Sequence, residues 1–85
     1  MIPRIKSVQP MDNYMLEVTF EDGKRIMYDV NEDIDTLPGY MDLRENPGLF
    51  DQVQLDESRT CIFWSDDIDL PSDMIYEYGK VLQGV

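Results

Sequence analysis

The segment that decides the fold of this chain is YMLEVTFEDGKRIMYDV, residues 14–30. Apolar and polar side chains alternate through its first half, as they do in a half-buried β-strand. The pair Asp22-Gly23 follows, and glycine there accepts the positive φ of a tight turn. The alternation then resumes with apolar side chains on one face. The segment predicts a β-hairpin whose buried face is formed by Tyr14, Leu16, Val18, Phe20, Ile26, Tyr28 and Val30.

Shorter elements are predicted on both sides of this hairpin. Pro38-Gly39 and Pro47-Gly48 interrupt a middle region in which only single helical turns fit. The run Cys61-Ile62-Phe63-Trp64 is apolar on both faces, which is typical of a covered central strand. In chain order we expect a strand at residues 2–10, the hairpin, helical turns at 31–36 and 42–46, a second hairpin at 52–55 and 60–64, an edge strand at 68–70 and a C-terminal helix.

The C-terminal helix is predicted to begin at Pro71, because proline suits the first helical position and Asp73 suits the first turn. Gly79 would interrupt this helix at a cost of about 1 kcal/mol relative to alanine. Tyr76 falls off the apolar stripe and is expected on the surface. The stripe itself consists of Met74, Ile75, Tyr78, Val81 and Leu82.

This order of elements indicates an α+β fold. We expect a small antiparallel sheet built from two hairpins, an irregular helical middle and a C-terminal helix packed on one face. A length of 85 residues suits a single domain, residues 1–85. A core of this size is thin, and small domains often add an oligomer interface, so a homodimer is expected.

The charge of the chain favours a protein partner. It carries 18 acidic and 7 basic residues, a net charge of -11. The basic residues are scattered, whereas phosphate contacts need clustered Lys and Arg, so direct nucleic-acid binding is not expected. An acidic surface suits a small, basic protein partner. The alternative is that the charge only keeps the protein soluble.

The composition argues against catalysis. The chain has no histidine, the side chain best suited to proton transfer near neutral pH, and only one cysteine. Cys61 lies in an apolar run without a cationic activator, so we interpret it as a small core residue. No glycine-rich phosphate loop or serine-centred elbow is present. We expect no enzymatic activity and no cofactor.

One acidic stretch raises the question of a metal site, because carboxylates bind calcium and magnesium. Its spacing lacks the glycine and the glutamate of a calcium loop. Its first two residues suit a turn and its last suits a helix N-terminus, so no metal is predicted. The stretch consists of Asp66, Asp67, Asp69 and Asp73.

The location expected from the sequence is cytoplasmic. Met1-Ile2-Pro3-Arg4 leads directly into alternation, without the apolar region of a signal peptide. No apolar run approaches the roughly 20 residues of a membrane span.

Aromatic and acidic side chains are the candidates for partner contacts, since aromatic residues are enriched at interface hot spots. Trp64 is expected in the core, because it follows a strand with two apolar faces. The residues predicted to bind a partner are Tyr76, Glu77, Asp66, Asp67 and Asp69.

Several short motifs occur together in an order that resembles one bacterial family, the domain of unknown function 2442 family. The resemblance covers nearly the whole chain. The motifs are Pro3-Arg4-Ile5-Lys6-Ser7-Val8, Asp12-Asn13-Tyr14, Val18-Thr19-Phe20-Glu21-Asp22-Gly23, Tyr28-Asp29-Val30, Leu49-Phe50 with Val53 and Asp56, Trp64, Ile68-Asp69-Leu70, and Asp73 with Ile75, Tyr76 and Glu77.

No reaction is established for the family that the chain resembles, so the resemblance implies a role and not a catalytic activity. Members of that family are small stand-alone chains or domains fused to a helix-turn-helix module. Stand-alone members are often encoded beside another small protein, in pairs that look like toxin–antitoxin systems. By resemblance this chain is the antitoxin, which would neutralise its partner by direct binding. It departs from the family at Asp66-Asp67, where Asn-Gly or Asp-Gly is common, and this should change the turn type more than the fold.

A second hypothesis is a small ligand-binding or sensory module. A deep apolar pocket would favour it, whereas a flat acidic face with exposed aromatic side chains would favour the antitoxin.

Overall fold

The computed structural model describes residues 2–82, which form seven β-strands and three α-helices. The predicted α+β class is confirmed. The strands are β1 (Ile5–Met11), β2 (Met15–Phe20), β3 (Arg25–Asp29), β4 (Gln54–Leu55), β5 (Cys61–Ser65), β6 (Ile68–Pro71) and β7 (Lys80–Val81). The helices are α1 (Asn31–Thr36), α2 (Asp42–Glu45) and α3 (Ser72–Tyr78).

The predicted hairpin of residues 14–30 is confirmed. β2 and β3 pair antiparallel, with Leu16 opposite Tyr28 and Val18 opposite Ile26. Gly23 in the connecting turn has a φ of 91°, in the left-handed region that glycine enters without steric cost. Together with β1 and β7 the hairpin forms a four-stranded sheet in the order β1-β2-β3-β7.

The second hairpin does not join this sheet. β4, β5 and β6 form a separate three-stranded antiparallel sheet with β5 in the middle. The edge of β3 that faces away from β2 is partly occupied by β7, where Val81 lies opposite Ile26 and Lys80 lies opposite Met27. The two sheets meet where β1 lies beside β4, and the Ile5 N–H donates to the Arg59 carbonyl at 2.8 Å. The structure therefore has two small sheets in place of the expected one.

The core lies between the two sheets and the helices. Alternate side chains of β2 and β3 point inward, as the sequence predicts. Trp64 is buried, as expected, and its indole N–H donates to the Phe50 carbonyl at 3.0 Å. The fully buried side chains are Phe20, Ile5, Leu16, Ile26, Ile34, Leu43, Ile62, Ile68, Leu70, Ile75, Val18 and Val30.

The C-terminal helix is shorter than predicted. α3 ends at Tyr78, and the chain returns to the first sheet as β7. Gly79 lies at the turn between them, where a Cβ atom would stand only 2.2 Å from Cγ2 of Ile26. The predicted apolar stripe therefore wrongly included Val81 and Leu82, which lie beyond the end of the helix. Ile75 anchors the helix in the core, whereas Tyr78 and Val81 are exposed.

Candidate functional site

Three of the predicted partner-binding residues lie at the connection between β5 and β6. Asp66 and Asp67 form the turn, and Asp69 follows on β6. Neither turn residue has a positive φ, so the turn differs from the type that Asn-Gly favours. Beside this turn lies a depression of about 270 Å³, which we call the acidic depression; its lining residues are Asp56, Cys61, Phe63, Ser65, Asp66 and Asp69.

The carboxylates of the acidic depression differ in what they bind. Asp56 holds the preceding loop together, because its side chain accepts the N–H groups of Thr60 and Cys61 at 3.2 and 3.3 Å. Within residues 2–82, no donor binds the side chains of Asp66 or Asp69. Both residues are exposed. These two carboxylates are therefore available to a positively charged group from outside the molecule.

Two of the six side chains that line the depression are not polar, those of Phe63 and Cys61. Phe63 lies on the outward face of β5, opposite Gln54 of β4 and Asp69 of β6, and is half-buried. Cys61 is half-buried on the same face, which corrects its assignment to the core. Its thiol donates to the Ile62 carbonyl at 3.3 Å, and partial burial raises the pKa of the Cys61 thiol. A raised pKa keeps the sulfur protonated and weakly nucleophilic.

Tyr76 lies elsewhere, against the turn of the first hairpin. Its ring meets Phe20 edge-on at 4.9 Å between centroids, so it is half-buried and less exposed than its sequence position predicts. Its hydroxyl donates to Asp22 at 3.0 Å and accepts from the Lys24 ammonium at 2.9 Å. The Lys24 backbone N–H lowers the pKa of the Asp22 carboxyl, and the Tyr76 hydroxyl raises the pKa of Lys24.

Glu77, the neighbour of Tyr76 on α3, is exposed. Neither Tyr76 nor Glu77 lines the acidic depression. The structure therefore groups Asp66 and Asp69 and leaves the two helical candidates outside that group. The other four lining residues, which sequence reasoning did not select for partner binding, are Asp56, Cys61, Phe63 and Ser65. The alternation of β5 could have indicated Phe63, since Ile62 and Trp64 on either side of it are core residues.

The turn before β2 falls where Met11-Asp12-Asn13 predicts one, but the sequence did not reveal that its backbone is strained. Asn13 and Tyr14 both have positive φ, 62° and 60°, and a bulky residue in this region is a true outlier. The Val30 N–H donates to the Tyr14 carbonyl at 3.0 Å, and the Asn31 amide donates to the Asn13 carbonyl at 2.7 Å. Arg44 lies over the Tyr14 ring, 5.8 Å from its centroid. These contacts offset the backbone strain.

Within residues 2–82, no three acidic or cysteine side chains converge as metal ligands would. No helix in that part of the chain is long and apolar enough to cross a membrane.

Fold and site together define a small, acidic α+β protein with an open carboxylate-lined depression. The family model described as "Protein of unknown function (DUF2442)" matches residues 5–81. The chain belongs to this family, as the sequence motifs predicted. A search of curated proteins and a search of solved structures found no match.

Proposed function

We propose that this protein is a non-enzymatic protein-binding module, the antitoxin of a bacterial toxin–antitoxin pair. It acts in the cytoplasm without a cofactor and neutralises a small, basic protein encoded next to it by direct binding. The observation that supports this proposal is the acidic depression, where Asp66 and Asp69, whose carboxylates have no partner within residues 2–82, line the same surface as the half-buried ring of Phe63.

This arrangement suits a protein interface better than a small-molecule pocket. Interfaces place aromatic side chains at the centre and polar groups at the rim. Carboxylates without internal partners can accept charge-assisted hydrogen bonds from Lys or Arg of a partner. Four of the six lining residues are polar or acidic, whereas ligand pockets are lined mainly by hydrophobic and aromatic side chains.

The charge of the whole molecule supports the same proposal. Only three ion pairs form within residues 2–82, Arg25–Glu17, Arg44–Asp35 and Arg59–Glu21. Most of the 18 acidic residues therefore contribute an uncompensated negative field. Such a field accelerates encounter with a basic protein and orients it. The antitoxin role itself comes from the family resemblance, and the field indicates only the charge of the partner.

The test is growth of cells that express the adjacent reading frame with and without this protein. We expect growth arrest by the neighbour and rescue by co-expression. Rescue should be weakened by the triple substitution Asp66→Asn, Asp67→Asn and Asp69→Asn. The matched control removes three exposed charges elsewhere, through Asp12→Asn, Asp42→Asn and Asp51→Asn, and should rescue fully.

Absence of arrest, in cells shown to contain the neighbouring protein, would reject the antitoxin role. In that case a search for metabolites bound to the purified protein would test the ligand-binding alternative. Equal rescue by the triple variant and its control would reject the acidic depression as the contact surface. The expected homodimer also remains a prediction, and sedimentation of the purified protein tests it.

A further inference from the structure

A second cavity lies where residues of β3, α1 and α3 meet. It measures about 270 Å³. It shares no residue with the acidic depression. The residues that line it are Tyr28, Glu32, Asp33, Thr36, Met74 and Tyr78.

The charge inside this cavity is unusual because it belongs to a buried carboxylate. Asp33 is only 8% exposed. One of its oxygens, Oδ2, accepts the Tyr28 hydroxyl at 2.6 Å. No side chain or backbone donor within residues 2–82 binds Oδ1, and Asp33 takes part in none of the ion pairs there. A buried carboxylate ordinarily has a cation or several hydrogen bonds, since removal from water is costly.

Asp33 lines the cavity, and its open oxygen keeps some contact with solvent. Every fully buried polar side-chain atom within residues 2–82 has a hydrogen-bond partner, and Oδ1 has none there, so Oδ1 is not fully buried. Glu32, on the same helix, adds a second carboxylate to the lining. No lysine or arginine lines the cavity to neutralise either of them. The cavity therefore presents negative charge and an unused acceptor.

The rest of the lining suits an organic cation. Tyr78 is 72% exposed at the mouth of the cavity, although it is a large aromatic side chain. Aromatic faces attract ammonium and guanidinium groups. Met74 adds a soft, adaptable apolar surface for the attached alkyl chain. The carboxylates and the phenol ring attract a cation, and the thioether adds apolar surface beside them.

We propose that this cavity binds an alkylammonium or alkylguanidinium group, with its charge paired to Asp33 Oδ1 and its alkyl chain against Met74 and Tyr78. The group can belong to a free amine or to a Lys or Arg side chain of a protein. The proposal does not depend on the antitoxin role, because it rests on a different set of residues.

The experiment is a titration of the ¹⁵N-labelled protein, followed by the amide resonances. The probes are n-butylammonium and n-butylguanidinium, and n-butanol is the neutral control of similar shape. We expect the two cations to cause saturable changes in the amide chemical shifts of residues 28–36 and 74–78. Butanol should cause no saturable change at these residues. Short peptides that contain one Lys or Arg form a second series. Tighter binding of the peptides identifies a protein side chain as the source, and tighter binding of the free cations identifies a small amine.

Variants connect the shifts to the proposed contacts. Asp33→Asn keeps an acceptor for Tyr28 but removes the charge, and binding of the cations should weaken about tenfold, because hydrogen bonds to charged groups are the stronger ones. Tyr78→Ala should weaken binding without threatening the fold, since this ring is exposed. Asp42→Asn, which removes an exposed charge from α2, should leave binding unchanged.

Two results would overturn the proposal. The first is the absence of cation-specific shifts around the cavity, including equal shifts with butanol. The second is unchanged binding in both Asp33→Asn and Tyr78→Ala, with amide spectra that show both variants folded. Growth rescue by the antitoxin assay is not part of this experiment, so failure of one proposal leaves the other standing.

Discussion

At the scale of single residues, two buried tyrosines are linked through one carboxylate. Burial, followed by the hydrogen bond to Asp33, raises the pKa of Tyr28 above its ordinary value. Burial, followed by the charges of Asp33 and Asp69, raises the pKa of Tyr40 to about 12. The Tyr40 hydroxyl also donates to the Asp69 backbone carbonyl. The protein thus keeps both phenols protonated in conditions where an unfolded chain would lose the protons.

Alkaline pH should therefore destabilise the fold. Between pH 10 and about 12 the folded state binds more protons than the unfolded state, so the free energy of unfolding falls as pH rises. We expect Tyr40→Phe to reduce this fall, and to cost about 1 kcal/mol at neutral pH through the lost hydrogen bond. Urea unfolding across this pH range measures both effects. Tyr78→Phe, which changes an exposed phenol, is the matched control. If the free energy of unfolding falls equally with pH in Tyr40→Phe and in wild type, this explanation is contradicted.

Gly79 is the residue at which a single methyl group should matter most. An added Cβ would stand 2.2 Å from Ile26 Cγ2 and 2.6 Å from the Ile75 carbonyl oxygen. Gly79→Ala should destabilise the protein by about 1–3 kcal/mol, the usual cost of overpacking. Glu77→Ala, an exposed change two residues earlier, should stay within about 0.5 kcal/mol of wild type. Thermal unfolding measures both, and a stable Gly79→Ala would show that the helix–strand junction can relax.

At the scale of elements, the local sequence pattern was sufficient to predict an element wherever neighbours in the sequence stabilise that element. The hairpin of β2 and β3 and the bounds of α1 followed from alternation and from breakers. Pattern was insufficient for β7, because Lys80–Val81 is a strand only by pairing with β3. Val81 fits the helical spacing of the stripe, and the sequence alone does not show that the edge of β3, far away in the chain, is open for it to pair with. The same limit explains why two sheets formed where one was expected.

We expect the helix α3 to hold the two sheets together. It contacts β3 of the first sheet and β6 of the second, and Ile75 is its fully buried side chain. Ile75→Ala should lower the free energy of unfolding by about 2–4 kcal/mol, through lost burial and the cavity left behind. Met74→Ala, a half-buried neighbour, should cost less. Denaturant unfolding compares the two, and an equal cost would indicate that α3 does not hold the sheets together.

The candidate site was predicted in part from the sequence, for physical reasons of the same kind. Asp66 and Asp69 are close in the chain, so a turn necessarily brings them together. Asp56 lies beside them only because β4 and β5 pair. Tyr76 lies outside the depression because it packs against Phe20 and the turn of the first hairpin. Asp33 could not be recognised as buried, since its helix is short and most acidic residues of the chain are exposed.

At the scale of the whole molecule, the net charge of -11 dominates, because few carboxylates have ionic partners within residues 2–82. Like charges on a compact body repel one another, and salt screens that repulsion. The free energy of unfolding should therefore rise by about 1 kcal/mol between low ionic strength and about 0.5 M NaCl. Urea unfolding in a NaCl series measures it. A steady loss of stability with salt would mean that attractive ion pairs outweigh the repulsion.

The same charge underlies the proposal that the acidic depression binds a basic protein. The most direct measurement is the affinity of the purified neighbouring protein for wild type, for the triple variant at Asp66, Asp67 and Asp69, and for its control at Asp12, Asp42 and Asp51. Calorimetric titration should show that the triple variant binds about tenfold more weakly, since three lost pairs at about 0.5 kcal/mol each amount to about 1.5 kcal/mol, while the control binds nearly as wild type. Equal affinities of the triple variant and wild type would contradict the account.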